Sequence, residues 1–534
     1  MSGRRRPRSA GPTPPACTAG RPGHPAGSGA SGGLAGWGGS GGSAGLAGSG
    51  DSAGSGGAGR SGGSDGAGRL GGTRGSGRPG QSRGPSRVGP WLGRELVLEV
   101  GGVAHGGHCV ARAEGRVVFV RHALPGERVV ARVTEDAGKS YCRADAVRVL
   151  SASPDRVDPP CPHAGPGRCG GCDWQHAAGA AQRAGKAAVV REQLARLAGL
   201  PDVPVRVEPL SADLLGWRTR VRFAVGPDGR TGLRRHRSQQ LEPVQHCPLG
   251  TEAVAAAGVG QRSWPAGTEV EVVASTGGDT AVVRWADGGA PAGEPAGRAE
   301  RDREPTGAGR GRPRGAGRAQ RDREPTGAGR GGPRGASRTD GPVLDAGPAT
   351  VREVAAGREW RVAATGFWQV HPAAADALAG CVLDFLRPGP GEIALDLYAG
   401  AGLFAGLLAD AVGPTGRVVA VEADRRAAAD AAANVPGLEV RAARVTPELL
   451  GGLGLRPDLV VLDPPRSGAG TAVLTAVLAL APRAVAYVAC DPAALARDLR
   501  VAVDAGWALA GLRAFDLFPM THHVETVALL CPPT

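Results

Sequence analysis

The stretch "LDLYAGAGLFAGLLA" (residues 395–409) decides the fold. An apolar run ends at Tyr398, Gly400-Ala401-Gly402 turn the chain, and a Leu/Ala-rich helix pattern begins. Glycines at such a turn let the backbone approach a ligand closely at the carboxyl edge of a parallel sheet. By itself the glycine pair is a weak signal. A second apolar run, "VVAVEAD" (418–424), closes on Glu422. A carboxylate about 20 residues beyond the glycines can accept hydrogen bonds from both hydroxyls of a ribose.

The same pattern continues to the end of the chain. Candidate strands cover 393–398, 417–422, 438–442, 458–463, 484–489, 509–515 and 524–530, and helix-like Ala/Leu stretches separate the first six. The last two are joined by "DLFPMTHH" (516–523), too short for a crossover helix, so they pair antiparallel. The predicted class is α/β, a doubly wound Rossmann-like sheet of parallel strands with an antiparallel pair at its end. The full dinucleotide fingerprint is absent and no pyrophosphate site is evident. S-adenosylmethionine therefore suits this edge better than NAD.

Three further residues fall on the same edge. "LVVLDPPRSGAG" (459–470) ends a strand on Asp463, with two prolines stiffening the turn. Adenine amino-methyltransferases use a similar motif ending in an aromatic; here Arg466 follows. "AVAYVACDPAALARDL" (484–499) ends a strand on Cys490. Alone, this cysteine reads as a buried thiol or as a nucleophile. A helix N-terminus directly after it would lower its pKa. Glu525, in "THHVETVALL" (521–530), opens the last strand, whose antiparallel course brings its start to the same edge.

Upstream, "CPHAGPGRCGGCDWQH" (161–176) and "QHCPL" (245–249) supply Cys161, Cys169, Cys172 and Cys247. Four thiolates bind an iron–sulfur cluster or Zn²⁺, and the spacing leaves both open. No apolar core of a secretory signal or membrane span is present, so a soluble cytoplasmic protein is expected and a disulfide framework is not. Residues 91–152 contain short Val-rich runs broken by turns, including "RVVFVRHALPGERVVARV" (116–133), the pattern of a small OB-like β-barrel. Residues 153–290 form a small α+β central region, with a helix near 187–197 and β-like runs at 218–225 and 269–273. The last domain spans 346–534.

Residues 1–90 are Gly/Ser/Ala/Arg with few large apolar side chains, and 291–345 repeat "AGRAERDREPTGAGRGRPRG" (296–315) as "AGRAQRDREPTGAGRGGPRG" (316–335). Neither segment can bury enough apolar surface to offset ordering entropy, so both are expected to be disordered. The net charge of +13, nearly all from arginine, suits phosphate contacts.

Together these features resemble the RNA uracil-C5 methyltransferases, the class I family that makes 5-methyluridine in ribosomal and transfer RNA. The likeness runs from about residue 94 to 532, interrupted by the insert. The barrel resembles that family's TRAM domain. The cysteine set is similar to its [4Fe–4S] ligands, which implies Cys161, Cys169, Cys172 and Cys247 in that role. "GFWQVHP" (366–372) is similar to a signature that implies Gln369 at S-adenosylmethionine; Tyr398, Gly400, Gly402, Glu422 and Asp463 carry over likewise. "VACDPAALARD" (488–498) matches the nucleophile segment and "HHVETVALL" (522–530) the general-base segment. His371 and Asp491 each stand where the pattern has Asn.

The residues also make chemical sense for that reaction. Addition of the Cys490 thiolate to uracil C6 makes C5 enolate-like, and Glu525 can then remove the C5 proton. The resemblance implies an RNA partner, ribosomal or transfer, no membrane, and a monomer. Two alternatives are a methyltransferase for another base and a non-catalytic iron–sulfur RNA-binding protein. The missing aromatic after Pro465 argues against an adenine enzyme. The non-catalytic reading leaves Cys490 and Glu525 unexplained.

Overall fold

The computed structural model describes residues 89–286 and 341–533. Nearly all of the 1–90 tail, and the whole 296–335 duplication, lie outside the described residues. Among the described residues no helix is long and apolar enough to cross a membrane.

Strands β1 (Glu95–Glu99), β2 (Cys109–Ala113), β3 (Arg116–Arg121), β4 (Arg128–Glu135) and β5 (Tyr141–Ser151) form one sheet in the order β1-β4-β5-β3-β2. Alternation builds its core: Leu96 and Leu98 are buried while Glu95, Val97 and Glu99 face out. Val118, Val120, Val129, Ala131 and Val133 pack against them. Asp136 anchors the start of this unit. Its carboxylate accepts from the Trp91 amide at 3.0 Å and pairs with Arg116 at 2.8 Å.

Helix α1 (Gly179–Gln193) follows and continues as a π-helical turn, Leu194–Ala198. It starts eight residues before the expected 187. The reason is that its first buried residues are Gln182 and Lys186, which carry no apolar signal. Strand β6 (Val207–Pro209) comes next. Then β7 (Arg220–Val225), β8 (Thr231–Arg234), β9 (Leu241–Pro243), the short helix α2 (Glu252–Ala256), β10 (Glu269–Ala274) and β11 (Thr280–Trp285) build a second sheet. Its edge strand β12 (Val343–Ala346) gives the order β12-β11-β10-β7-β8-β9. Residues 343–345 were expected in the insert. All four residues of β12 are exposed, so no buried alternation marks the strand in sequence.

A hairpin, β13 (Thr350–Ala355) and β14 (Arg358–Ala363), leads into α3 (Ala374–Leu386). The α/β unit then alternates β15 (Ile393–Leu397), α4 (Leu403–Val412), β16 (Arg417–Glu422), α5 (Arg425–Asn434), β17 (Glu439–Ala442), α6 (Pro447–Gly452), β18 (Leu459–Leu462), α7 (Thr471–Ala479), β19 (Ala484–Ala489), α8 (Pro492–Asp504), β20 (Ala508–Asp516) and β21 (Glu525–Cys531). The eight-stranded order is β17-β16-β15-β18-β19-β21-β20-β6. β15 to β19 pair parallel, and β21 runs antiparallel between β19 and β20. Every residue of β18 and β19 is buried, as expected of strands covered on both faces. The reversal of strand order between β15 and β18 creates the crevice in which open α/β sheets bind ligands.

Where the barrel meets the central region, imidazoles crowd together. His108 and His236 lie 6.0 Å apart, and His122 and His176 lie 6.1 Å apart. Buried Arg121 sits among them, 3.7 Å from Asp173. Burial pushes the pKa down to about 3 for His108 and His122, and to about 4 for His176 and His236; nearby arginines add to this. These folded values lie below the ordinary 6.5, so the unfolded chain binds more protons than the native one. Stability is therefore full above about pH 6.5 and falls as pH drops toward 4. Thermal unfolding across that range should show a steadily falling midpoint, lessened in a His122→Gln variant.

Candidate active site

The glycine turn sits at the carboxyl end of β15. Gly400 has φ 55° and Gly402 φ 91°. A Cβ on Gly402 would lie 3.1 Å from the Ala431 methyl, so α5 packs directly on it. A Cβ on Gly400 would meet no atom within 4 Å, so that face is open to a ligand. Tyr398 also has positive φ, 65°. A non-glycine residue held there stores backbone strain, a feature of ligand-binding edges. Glu422 ends β16. Its two oxygens accept from the amides of Gly400 at 2.9 Å and Asp424 at 2.7 Å, which fixes the carboxylate beside the turn. Gln369 lies half-buried in the loop after β14 and makes no side-chain hydrogen bond among the described residues. Thr219 holds the adjacent Val370 carbonyl at 2.8 Å through its amide and 3.0 Å through its hydroxyl.

Sequence reasoning missed Asp396. It is fully buried; one oxygen accepts from the Ala405 amide at 2.8 Å and the other has no partner among the described residues. Burial pushes its pKa up to about 8. The open face of Gly400 and the Glu422 carboxylate fit a nucleoside, with the orphaned Asp396 oxygen beneath them. The signal was the first acid of "LDLYAGAG", which the apolar run concealed.

The candidate nucleophile and base come from neighbouring strands. β19 and β21 pair with Ala489 opposite Thr526, and the Thr526 hydroxyl donates to the Ala489 carbonyl at 2.9 Å. That register sets Glu525 beside Cys490. Cys490 is partly exposed; Glu525 is buried. Burial, then the Asp463 carboxylate, pushes the Glu525 pKa well above its ordinary value. Burial also raises Asp463, to about 7.

The expected lowering of the Cys490 pKa is overturned. Burial first, then Glu525, Asp463 and Asp491, drive it up, and Arg466 opposes them. The α8 N-terminus cannot act as foreseen because Asp491 caps it, its Oδ1 accepting from the Ala494 amide at 2.8 Å. The cap brings a negative charge to the thiol's neighbour.

His371 does work that Asn could do. Its Nδ1 accepts from the Ala373 amide at 3.1 Å, and the ring stacks on Trp217 at 5.9 Å. Burial lowers its pKa, which keeps Nδ1 free to accept.

Cys161, Cys169, Cys172 and Cys247 line one cavity of about 100 Å³, together with His163, Arg218 and Arg222. Among the described residues, no group of three or more His, Cys, Asp or Glu side chains is placed to hold a single metal ion. All four cysteines border that cavity. Burial pushes Cys169 up to about 11 and raises Cys172 and Cys247.

The fold and this edge define a class I S-adenosylmethionine-dependent methyltransferase. Residues 92–147 match the TRAM domain model, and residues 455–532 match that described as tRNA (Uracil-5-)-methyltransferase. An uncharacterized RNA methyltransferase of Streptomyces avermitilis is 48% identical over 457 residues, covering 83% of this chain and 99% of its own. One from Streptomyces coelicolor is also 48% identical, covering 83% and 93%. The crystal structure of the Pyrococcus abyssi tRNA (uracil-54, C5)-methyltransferase in complex with S-adenosyl-L-homocysteine shares the fold. Its TM-score is 0.55 at 20% identity, covering 82% of this chain and 100% of that one. The chain belongs to the TRAM-containing RNA uracil-C5 methyltransferase family.

Asp498 supports the site from behind. Its Oδ2 accepts from the Tyr487 hydroxyl at 2.6 Å and from the Ala469 and Gly470 amides at 2.9 and 3.1 Å. It thereby ties β19 to the loop that begins at Asp463. Asp498→Ala leaves buried donors unpaired and should cost about 3 kcal/mol in urea unfolding. Asp498→Asn, which keeps an acceptor, should cost less.

Proposed function

We propose that this enzyme methylates uracil C5 in ribosomal or transfer RNA through a covalent Cys490 adduct. The observation that carries the reading is the β19–β21 register, which sets a thiol and a buried carboxyl side by side at the glycine-turn edge. Cys490 adds through sulfur to C6, and the electron pair of the C5–C6 bond becomes available at C5. S-adenosylmethionine, held by Gly400, Gly402, Tyr398, Gln369, Glu422 and Asp463, would supply an electrophilic methyl group to C5, the sulfur keeping the electron pair of the broken S–CH3 bond and leaving as a neutral thioether. Glu525 then takes the C5 proton, and the returning electron pair expels the Cys490 thiolate. A carboxyl with a raised pKa is a better base than an ordinary one, so its burial serves this step. The target uridine must leave its stack to reach the cleft.

The four cysteines fit a [4Fe–4S] cluster better than zinc. Zinc needs thiolates converging at about 2.3 Å on one centre, whereas these surround a cavity lined also by two arginines. Bound there, such a cluster would cross-link segments 161–172 and 247 and take no part in methyl transfer.

Methylation of uridine-containing RNA should vanish in Cys490→Ala; full retained activity would refute the mechanism. Glu525→Gln should accumulate a protein–RNA adduct on denaturing gels, because the proton cannot leave. Protein purified without oxygen should carry about four iron and four sulfide per chain, with broad visible absorbance; a colourless protein with one zinc would refute the cluster. Mapping 5-methyluridine lost on deletion of the chain identifies the RNA.

A further inference from the structure

A short loop of the barrel reaches the catalytic edge. Residues 101–108, between β1 and β2, reach both catalytic segments. Gly107 has φ 81°, and a Cβ on it would lie 2.6 Å from the Cβ of His522, three residues before Glu525. The Trp174 indole donates to the Gly107 carbonyl at 3.0 Å and seats the loop. Two residues earlier, His105 Nε2 lies 3.0 Å from Asp491 Oδ2. Asp491 is thus held at both oxygens: Oδ1 caps α8 and Oδ2 meets the barrel.

We propose that His105 is a positioning residue of the methyl-transfer site: its imidazolium holds Asp491 and cancels that carboxylate's charge beside Cys490. The inference rests on the nucleophile role of Cys490. Asp491 directly follows Cys490 and disfavours its thiolate. A protonated His105 removes that penalty. An Asn at 491, as in the family pattern, would cap the helix without charge; here a charge pair gives the same neutrality, but only while the barrel loop is seated.

The surrounding charges are Arg497 on α8 and Glu192 on α1, which face the pair, and Arg466, Glu525 and Asp463, which face Cys490. The hydrogen bond to Asp491 raises the His105 pKa above its ordinary value, keeping the imidazolium toward neutral pH. Above that pKa the imidazole is neutral and Asp491 again opposes the thiolate.

The test is alkylation of Cys490 by iodoacetamide, followed by peptide mass across pH in the full-length protein. It needs no RNA, so its outcome is separate from whether uracil is the substrate. His105→Ala should slow alkylation roughly fivefold at about pH 6.5, and the two curves should merge above about pH 9. His105→Gln keeps a donor without charge and should follow His105→Ala rather than the wild type. Asp491→Asn should stay close to the wild type at about pH 6.5 and alkylate faster as pH rises past the His105 pKa, and adding His105→Ala to it should not reproduce the fivefold slowing. A wild-type profile in His105→Ala, or a slowing that persists unchanged to high pH, would overturn the proposal, since a purely structural contact gives no pH-dependent difference.

Discussion

The hydrogen bond from the Thr526 hydroxyl to the Ala489 carbonyl, buried between β19 and β21, fixes the register on which the site depends. Side chains alternate along a strand with period two, so a slip of one residue would send Glu525 to the opposite face of the sheet. Direction matters as much as register. A parallel strand would bring only its end to the catalytic edge. The antiparallel β21 brings its first residue there and runs back into the core, where every one of its residues is buried.

The chain that delivers β21 to this register is held from outside the α/β unit. Lys186 on α1, itself buried, pairs with Asp516 at 2.6 Å and donates to the Phe518 carbonyl at 3.0 Å. Gln182 accepts from the Met520 amide at 2.7 Å. Asp173, next to Cys172, pairs with His522 at 2.6 Å. The turn from β20 to β21 is thus gripped by polar groups from the helix and from the cysteine segment. Breaking one partner of the buried Lys186–Asp516 pair would leave an uncompensated charge in the interior, which costs far more than the pair contributes. The central region is therefore a brace for the turn that delivers Glu525.

The strand ends of the α/β unit were legible in the sequence for a physical reason. Strands covered on both faces read as unbroken apolar runs, so Glu422, Asp463 and Cys490 stand out as polar residues at their ends. The start of α1 was not legible, because its buried face carries Gln182 and Lys186 in place of apolar residues. β6 is three residues long and β12 is wholly exposed, so neither gives a pattern to detect. The sign of the Cys490 shift was misjudged because helix polarity can be read along the chain, whereas the carboxylates of Glu525 and Asp463 arrive from other strands. The His105–Asp491 contact spans 386 residues and has no sequence signature.

Burial raises the pKa of both proposed catalytic groups, with opposite consequences. It makes Glu525 a stronger base and Cys490 a less ready nucleophile. The same cleft cannot favour both charges at once, and the proposed reaction does not require it: in that sequence the thiolate acts first and the carboxylate later. Arg466 opposes the rise at both groups from the exposed rim. An aromatic at that position would stack a base without easing either ionisation. A guanidinium there favours both a thiolate and a carboxylate, as the proposed attack by sulfur followed by removal of a carbon-bound proton would demand.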